Sequence, residues 1–151
     1  MSSRIDYLAA LQQRVLVFDG AMGTSIQTYD LTADDFGGKE GCNDYLVLTK
    51  PDIVRTIHAS FLAVGCDVLE TDTFNATRLR LDDYGLGDRA RELNIAAAQL
   101  ARSVADEFST QDKPRFVAGS MGPTGMLPSS DDPMLGNITF AELVAVYEEQ
   151  A

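Results

Sequence analysis

The sequence has few of the side chains that build metal sites, disulfide frameworks or catalytic pairs. Its 151 residues include two cysteines, one histidine and no tryptophan. Cys42 and Cys66 lie far apart and belong to no CxxC pair or Cys/His cluster, which argues against a zinc knuckle or a disulfide framework. We therefore expect both thiols to be buried as small hydrophobic side chains. The single histidine, His58, is interpreted as a partly exposed helix residue and not as a catalyst.

Basic residues and long apolar runs are also scarce. The chain has 12 basic against 23 acidic residues, a formal net charge of -11. Such a charge repels the phosphate backbone of nucleic acids and anionic membrane surfaces. The first ten residues lack the apolar core of a signal peptide, and no apolar run reaches the roughly 18 residues of a membrane span. We expect a cytoplasmic protein that binds neither nucleic acid nor membrane.

Apolar stretches that begin near positions 14, 67 and 115 alternate with amphipathic segments. This alternation predicts an α/β fold with a parallel sheet and right-handed helical crossovers. Neither a GxGxxG loop nor a GxxxxGK[ST] loop follows a predicted strand, so the dinucleotide-binding and P-loop classes lose their main support. Part of a (β/α)8 barrel is therefore favoured over an open doubly wound sheet.

Capping and stop signals predict where the helices lie. Thr49 is a predicted cap, Pro51 suits a first turn, and Gly65 is placed to end that helix. Asp88 is the predicted cap of a helix that runs to about Phe108. The other predicted segments are a lead-in helix within residues 4–13, a long loop over 25–43, a turn over 82–87 and a last helix that begins at Thr139 with a TFAE capping box.

Polar and small residues follow each predicted strand. Asp19, Gly20 and a small-residue loop over 21–24 follow the strand 14–18, residues 70–73 end the second strand, and residues 119–124 end the third. Barrel enzymes carry their sites at the carboxyl ends of the strands, so these segments are the predicted functional site. A non-functional alternative stays open for two of these segments. Asp19 is then an ordinary turn or cap residue, and the side chains of residues 70–73 simply alternate between the two faces of the strand, with Glu70 and Asp72 toward solvent.

Six sequence blocks resemble the homocysteine S-methyltransferase family, and within it the homocysteine-binding modules of cobalamin-dependent methionine synthases. They occur in the family's order over nearly the whole chain, which makes the match more specific than any single motif. The blocks are VFDGAMGT at 17–24, CNDYLVLTKPDIV at 42–54, ETDTFNATR at 70–78, DYGLGD at 83–88, VAGSMGPTG at 117–125 and NITFAELVAVYEEQA at 137–151.

The resemblance implies a zinc-containing barrel that methylates the thiolate of homocysteine, with methylcobalamin and methyltetrahydrofolate bound by other domains. It implies that Asp19 accepts hydrogen bonds from the substrate ammonium and that the backbone N–H groups of Gly20 and Ala21 meet the substrate carboxylate. No residue of this chain is predicted to be catalytic. The predicted substrate-binding residues are Asp19, Gly20, Ala21, Thr71, Thr73 and Gly119.

The chain also departs from the family pattern. The family holds its zinc with three cysteines that follow later strands, and neither Cys42 nor Cys66 corresponds to them, so neither is predicted to be a metal ligand. Asp72 stands where the family more often has asparagine. The resemblance therefore predicts that residues 1–151 form the first three β/α units of a truncated (β/α)8 barrel, an N-terminal fragment inactive without the remaining barrel and the cobalamin and folate domains.

Two other functions remain open at this point. One is a non-catalytic module that binds homocysteine or methionine without metal. The other is an unrelated barrel enzyme in which Asp19 or Glu70 acts as a general base, although the chain offers no nucleophile and base at a recognisable spacing.

Overall fold

The computed structural model describes residues 6–128, 131–132 and 136–151. No helix among these residues combines the length and the apolar character that a membrane span requires. Ile5, which belongs to the predicted lead-in helix, lies outside the described residues. The described elements are, in chain order, α1 (Tyr7–Leu11), α2 (Met22–Ile26), α3 (Leu46–Thr49), α4 (Pro51–Val64), β1 (Val68–Glu70), α5 (Arg78–Asp82), α6 (Ala90–Phe108), β2 (Phe116–Ala118) and α7 (Phe140–Gln150), with short 3-10 helices at Asn43–Tyr45 and Gly87–Arg89.

The two strands pair in parallel, and α6 connects them. Val68 lies opposite Phe116, and Glu70 lies opposite Ala118. The long helices α4 and α6 pack against each other, and α6 also contacts both strands. The predicted α/β class with parallel pairing and helical crossovers is confirmed at this level, and both described strands are shorter than the segments predicted for them.

The predicted first strand over residues 14–18 is wrong as a regular strand. Only Phe18 forms a bridge, parallel to Val68. The Asp67 carboxylate accepts the Val17 N–H at 3.0 Å and pairs with the Arg14 guanidinium at 2.8 Å, while the Val17 carbonyl accepts two N–H groups, those of Asp67 and Val68. A side chain thus replaces a neighbouring strand's carbonyl as the hydrogen-bond partner of Val17, and the regular ladder is interrupted.

The boundaries predicted for α4 are largely confirmed. Pro51 occupies the first turn, and Gly65 ends the helix in the left-handed region with φ of 113°. The predicted cap at Thr49 is wrong, because Thr49 is the last residue of α3 and its hydroxyl donates to the Tyr45 carbonyl. Because α3 is a separate short helix, Lys50 occupies the cap position of α4, and its side chain makes no capping hydrogen bond.

The segment before α6 contains a helix that the sequence did not predict. The Thr77 hydroxyl accepts the Arg80 N–H and caps α5. Asp88 does not cap α6, because a 3-10 turn precedes α6 and the Asp88 carboxylate instead accepts a hydrogen bond from Arg78 at 2.6 Å. The predicted end of α6 at Phe108 is confirmed.

The interior lies between the two long helices and under β1. Leu93, Ala97 and Val104 are buried on α6. Val54 and Ile57 are buried on α4. Full burial of a valine, leucine or isoleucine side chain contributes about 1.5–3 kcal/mol, so the contact between α4 and α6 contributes much of the stability of the fold.

The last helix is anchored to the loops that follow the strands. The capping box predicted at Thr139 is present. The Tyr147 hydroxyl donates to the Gly122 carbonyl at 3.0 Å, and the Gln150 amide donates to the Thr73 carbonyl at 2.8 Å. These contacts hold the end of α7 against the carboxyl ends of β1 and β2.

Candidate functional site

A cavity of about 270 Å³ opens where the strands end. Its lining comes from the segment that follows Phe18, from the 3-10 helix before α3, and from the loops after β1 and β2. Four of the thirteen lining residues are acidic. The lining residues are Asp19, Gly20, Ala21, Met22, Gly23, Asn43, Asp44, Glu70, Thr71, Asp72, Phe74, Asn75 and Ser120.

The Asp19 carboxylate is held rigidly at this cavity. The Asp19 N–H donates to the Val68 carbonyl at 2.9 Å, and its Oδ1 accepts the Glu70 N–H at 2.8 Å. The side-chain oxygen thus continues the sheet pairing that its backbone begins. Its side chain is only 4% exposed, so the carboxylate is a fixed and largely desolvated negative group.

The backbone after Asp19 turns sharply. Ala21 has φ of 52°, the one described residue other than glycine with a positive φ. This conformation costs of order 1 kcal/mol and is often found at functional sites. The N–H groups of Gly20 and Ala21 donate to no described residue. The small-residue loop predicted over 21–24 is wrong beyond Ala21, because helix α2 starts at Met22.

His58 lies beneath Asp19. Its side chain is 1% exposed, and its Nδ1 lies 3.5 Å from Asp19 Oδ2. The expectation of a partly exposed histidine is wrong, because this side of α4 packs into the interior with Val54 and Ile57. The apolar periodicity of α4 predicted that the neighbouring residues are buried. It did not predict burial of His58, because a polar imidazole does not contribute to an apolar pattern, although His58 lies on the same side of the helix.

Thr71 and Thr73 use their hydroxyls to hold the loop after β2. Thr71 Oγ1 accepts the Ser120 N–H at 2.9 Å and lies 2.6 Å from Thr73 Oγ1. Thr73 Oγ1 donates its hydrogen to the Ser120 carbonyl at 2.8 Å, so Thr71 is the donor of the pair. Both hydroxyl hydrogens are therefore committed within the protein, and they join the ends of the two strands.

Two buried carboxyl groups form another wall of the cavity. Asp44 is 3% exposed, and its Oδ1 accepts the Asn75 N–H at 2.8 Å. Burial raises its pKa. Asp72 is 8% exposed, and its Oδ2 has no hydrogen-bond partner among the described residues. Burial, and then the charge of Asp44, raise the pKa of Asp72 to about 8.

The structure brings some of the predicted site residues together and separates others. Asp19, Gly20, Ala21 and Thr71 line the cavity, whereas Thr73 and Gly119 are not among its lining residues. Thr73 lines a neighbouring cavity of about 390 Å³ beside α7. The sequence did not predict that residues 43–44 line the cavity. Residue 43 is the predicted end of the loop 25–43, and both residues are otherwise singled out only as part of the sequence block that begins at residue 42. The signal that could have located them is the CNDYL block itself.

The two cysteines are free and buried, as predicted. Burial raises the pKa of each thiol, Cys42 and Cys66, to about 11. Zinc and nucleophilic chemistry both use the thiolate, and this environment disfavours that form. Over residues 6–128, 131–132 and 136–151, no group of three or more His, Cys, Asp or Glu side chains is arranged to hold a metal ion.

Comparison with known sequences gives one family. A model of the homocysteine S-methyltransferase family matches residues 16–151. The methionine synthases of Mycobacterium tuberculosis and Mycobacterium leprae are 46% and 44% identical over 146 residues. Each alignment covers 97% of this chain and 12% of the relative, so the chain spans about an eighth of the length of these relatives.

Comparison with solved structures gives the same fold. The homocysteine methyltransferase MmuM from Escherichia coli superposes in its metallated form with a TM-score of 0.62 and 23% identity, over 76% of this chain and 40% of that chain. Its oxidized form gives 0.65 and 24%, over 78% and 41%. The likeness establishes that this α/β arrangement corresponds to part of a larger barrel enzyme's fold.

Proposed function

The chain belongs to the homocysteine S-methyltransferase family, and from that premise we propose that it forms the amino-acid-binding part of the homocysteine site of a methionine synthase. In this proposal the protein methylates the sulfur of homocysteine to give methionine. The observation that carries it is a single juxtaposition: Asp19, Gly20 and Ala21 line one cavity, and the N–H groups of Gly20 and Ala21 donate to no described residue.

These groups complement a zwitterion. The ammonium group of homocysteine donates hydrogen bonds to Asp19, and the substrate carboxylate accepts hydrogen bonds from the Gly20 and Ala21 backbone. Charge-assisted hydrogen bonds of both kinds are among the strongest in proteins. Because Asp19 Oδ1 is already held by the Glu70 N–H, the carboxylate meets the substrate without first losing conformational freedom.

In this proposal the remaining predicted residues, Thr71, Thr73 and Gly119, act by positioning the loop after β2. Thr71 and Thr73 hydrogen-bond to Ser120, which lines the cavity, and Gly119 gives that loop a residue without a side chain. Phe74 lines the same cavity and is 54% exposed, which provides an apolar surface for the methylene groups of the substrate.

The acidic lining favours an amino acid over an anionic ligand. Asp19, Asp44, Glu70 and Asp72 all line the cavity. A phosphate or a dicarboxylic acid would meet several carboxyl groups there, whereas an ammonium group is attracted by them.

The described residues do not fit the zinc ion of the family. Cys42 and Cys66 are buried thiols with raised pKa values, and no group of ligands assembles around them in the described part of the chain. In our proposal the zinc ligands, and the domains that bind cobalamin and folate, belong to the much longer protein that the relatives represent. The residues of this chain hold the substrate's amino-acid end only.

The edges of the fold suit such a larger barrel. Val15 and Val17 are 83% and 55% exposed beside β1, and Phe140 and Val144 are 72% and 38% exposed on α7. Surfaces of this kind usually become buried against other structure. We propose that further β/α units cover them, with this chain providing the first three units of a (β/α)8 barrel.

The proposal is tested by measuring zinc content and homocysteine methylation, with methylcobalamin as donor, for this chain and for a form extended to the length of the methionine synthases. We expect only the extended form to bind zinc and to turn over. Absence of methylation by the zinc-loaded extended form would reject the proposed reaction. Micromolar binding of homocysteine or methionine by the metal-free extended form, without turnover, would instead support a non-catalytic binding module.

A further inference from the structure

His58 is a buried polar side chain without a conventional partner. It is 1% exposed, and neither Nδ1 nor Nε2 makes a hydrogen bond to a described residue. Most buried polar groups in proteins are paired, and an unpaired one lowers stability, so a histidine retained in this position calls for a physical explanation.

The geometry identifies the group that His58 faces. Its Nδ1 lies 3.5 Å from Asp19 Oδ2, just beyond a normal hydrogen bond. The other Asp19 oxygen, Oδ1, is fixed by the Glu70 N–H at 2.8 Å. A shift of a few tenths of an ångström would give Oδ2 a partner as well, and hydrogen bonds of this kind often shorten when a site is occupied.

We propose that His58 is a positioning residue for Asp19: its Nδ1–H donates to Asp19 Oδ2 and, together with the Glu70 N–H, fixes the carboxylate that receives the substrate ammonium. This inference rests on the proposed function. An imidazole with a single N–H has one donor nitrogen and one acceptor nitrogen. The carboxylate beside Nδ1 selects that nitrogen as the donor.

The choice of histidine also has a physical reason. A buried lysine or arginine beside Asp19 would neutralise the carboxylate and compete with the substrate ammonium. An imidazole with a single N–H can donate a hydrogen bond to the carboxylate without placing a positive charge beside it. His58 acts through Asp19 and touches no substrate atom itself.

The first test uses the fact that His58 is the only histidine of the chain. A nitrogen-15 spectrum of the imidazole side chain, recorded on the folded wild-type chain and on Asp19→Ala, reports which ring nitrogen carries the hydrogen. We expect the Nδ1–H form in the wild type and loss of that preference in the variant. The same tautomer distribution in both proteins would overturn the proposed hydrogen bond.

The second test measures ligand discrimination in the extended form. Homocysteine and 4-mercaptobutanoate differ only in the ammonium group, and the ratio of their affinities reports on Asp19. We expect His58→Leu to reduce this ratio about tenfold, and His58→Asn, whose amide nitrogen stands near the place of Nδ1, to retain it within about threefold. Thermal unfolding of both variants measures any loss of stability separately.

The outcomes separate this inference from the function on which it rests. Equal loss of affinity for both ligands in His58→Leu would show a purely structural histidine and overturn the proposal. If homocysteine fails to bind the wild-type extended form at all, the proposed function is rejected, and the imidazole spectrum still decides whether His58 donates to Asp19.

Discussion

Replacing Asp72 by asparagine is expected to raise the free energy of unfolding at pH 8 by about 5 kcal/mol, because the folded state keeps the proton of this buried carboxyl through several pH units in which the unfolded chain has already released it. The pKa of Asp72 is raised to about 8, first by burial and then by the charge of Asp44. Its Oδ2 has no described partner to offset that cost. Asparagine has nearly the same shape and no charge.

The sign of the pH dependence follows from proton binding. The unfolded chain loses the Asp72 proton near pH 4, whereas the folded chain keeps it until about pH 8. Between these values the folded state binds more protons, so the stability of the wild type falls as the pH rises. The advantage of Asp72→Asn is therefore small below pH 4, increases through neutral pH and levels off above pH 8.

Urea unfolding of both proteins from pH 4 to pH 9 measures this difference. Asp34→Asn is the matched control, since it removes one carboxylate from an exposed loop position outside the cavity. The control is expected to stay within about 0.5 kcal/mol of the wild type over the whole range. A gain for Asp72→Asn that does not change with pH would show that ionisation of Asp72 is not its cause.

Replacing Asp19 by asparagine is expected to weaken homocysteine binding about 10- to 100-fold, because hydrogen bonds between charged groups contribute about 1.5–3 kcal/mol. The asparagine oxygen still accepts the Glu70 N–H that Asp19 Oδ1 accepts. The sheet pairing is therefore retained, and the lost affinity reports the missing charge.

Calorimetric titration of the extended form with homocysteine measures this effect. Binding of 4-mercaptobutanoate, which has no ammonium group, is expected to change less than about threefold in Asp19→Asn. Asp34→Asn carries the same loss of charge at a distant position and should bind both ligands as the wild type does. Equal weakening of both ligands by Asp19→Asn would point to distortion of the site and against an ammonium contact.

Local signals predicted the elements whose determinants lie within a few residues. Pro51 and Gly65 set the ends of α4 by their own backbone preferences, and the Thr139 capping box sets the start of α7. Such signals need no knowledge of the rest of the chain. The alternation of strands and helices depends on the same local patterns, and the parallel pairing followed from it.

Features that depend on distant residues could not be predicted. The strand over 14–18 is interrupted by the carboxylate of Asp67, about 50 residues away in the chain. Thr49 has the composition of a cap, and the tertiary packing of α3 gives it another role. The burial of His58 depends on which side of α4 faces the interior, and apolar periodicity does not assign a polar residue to that side.

The candidate site shows the same division. Asp19, Gly20 and Ala21 could be predicted because they follow an apolar stretch and stand in a recognisable motif. Asp44 joins the cavity only through the turn before α3. Its proximity to Asp72, which raises the pKa of Asp72, is a property of the folded chain and has no counterpart in local sequence.

The most direct test of the account is hydrogen exchange of the extended form, followed by mass spectrometry with and without saturating homocysteine. The N–H groups of Gly20 and Ala21 donate to no described residue, so they should exchange rapidly in the free protein and slowly once the substrate carboxylate accepts their hydrogen bonds. We predict that homocysteine slows exchange in the peptide covering residues 17–26. Unchanged exchange there, in a protein that binds homocysteine and slows exchange elsewhere, would contradict the assignment of the amino-acid end of the substrate to this cavity.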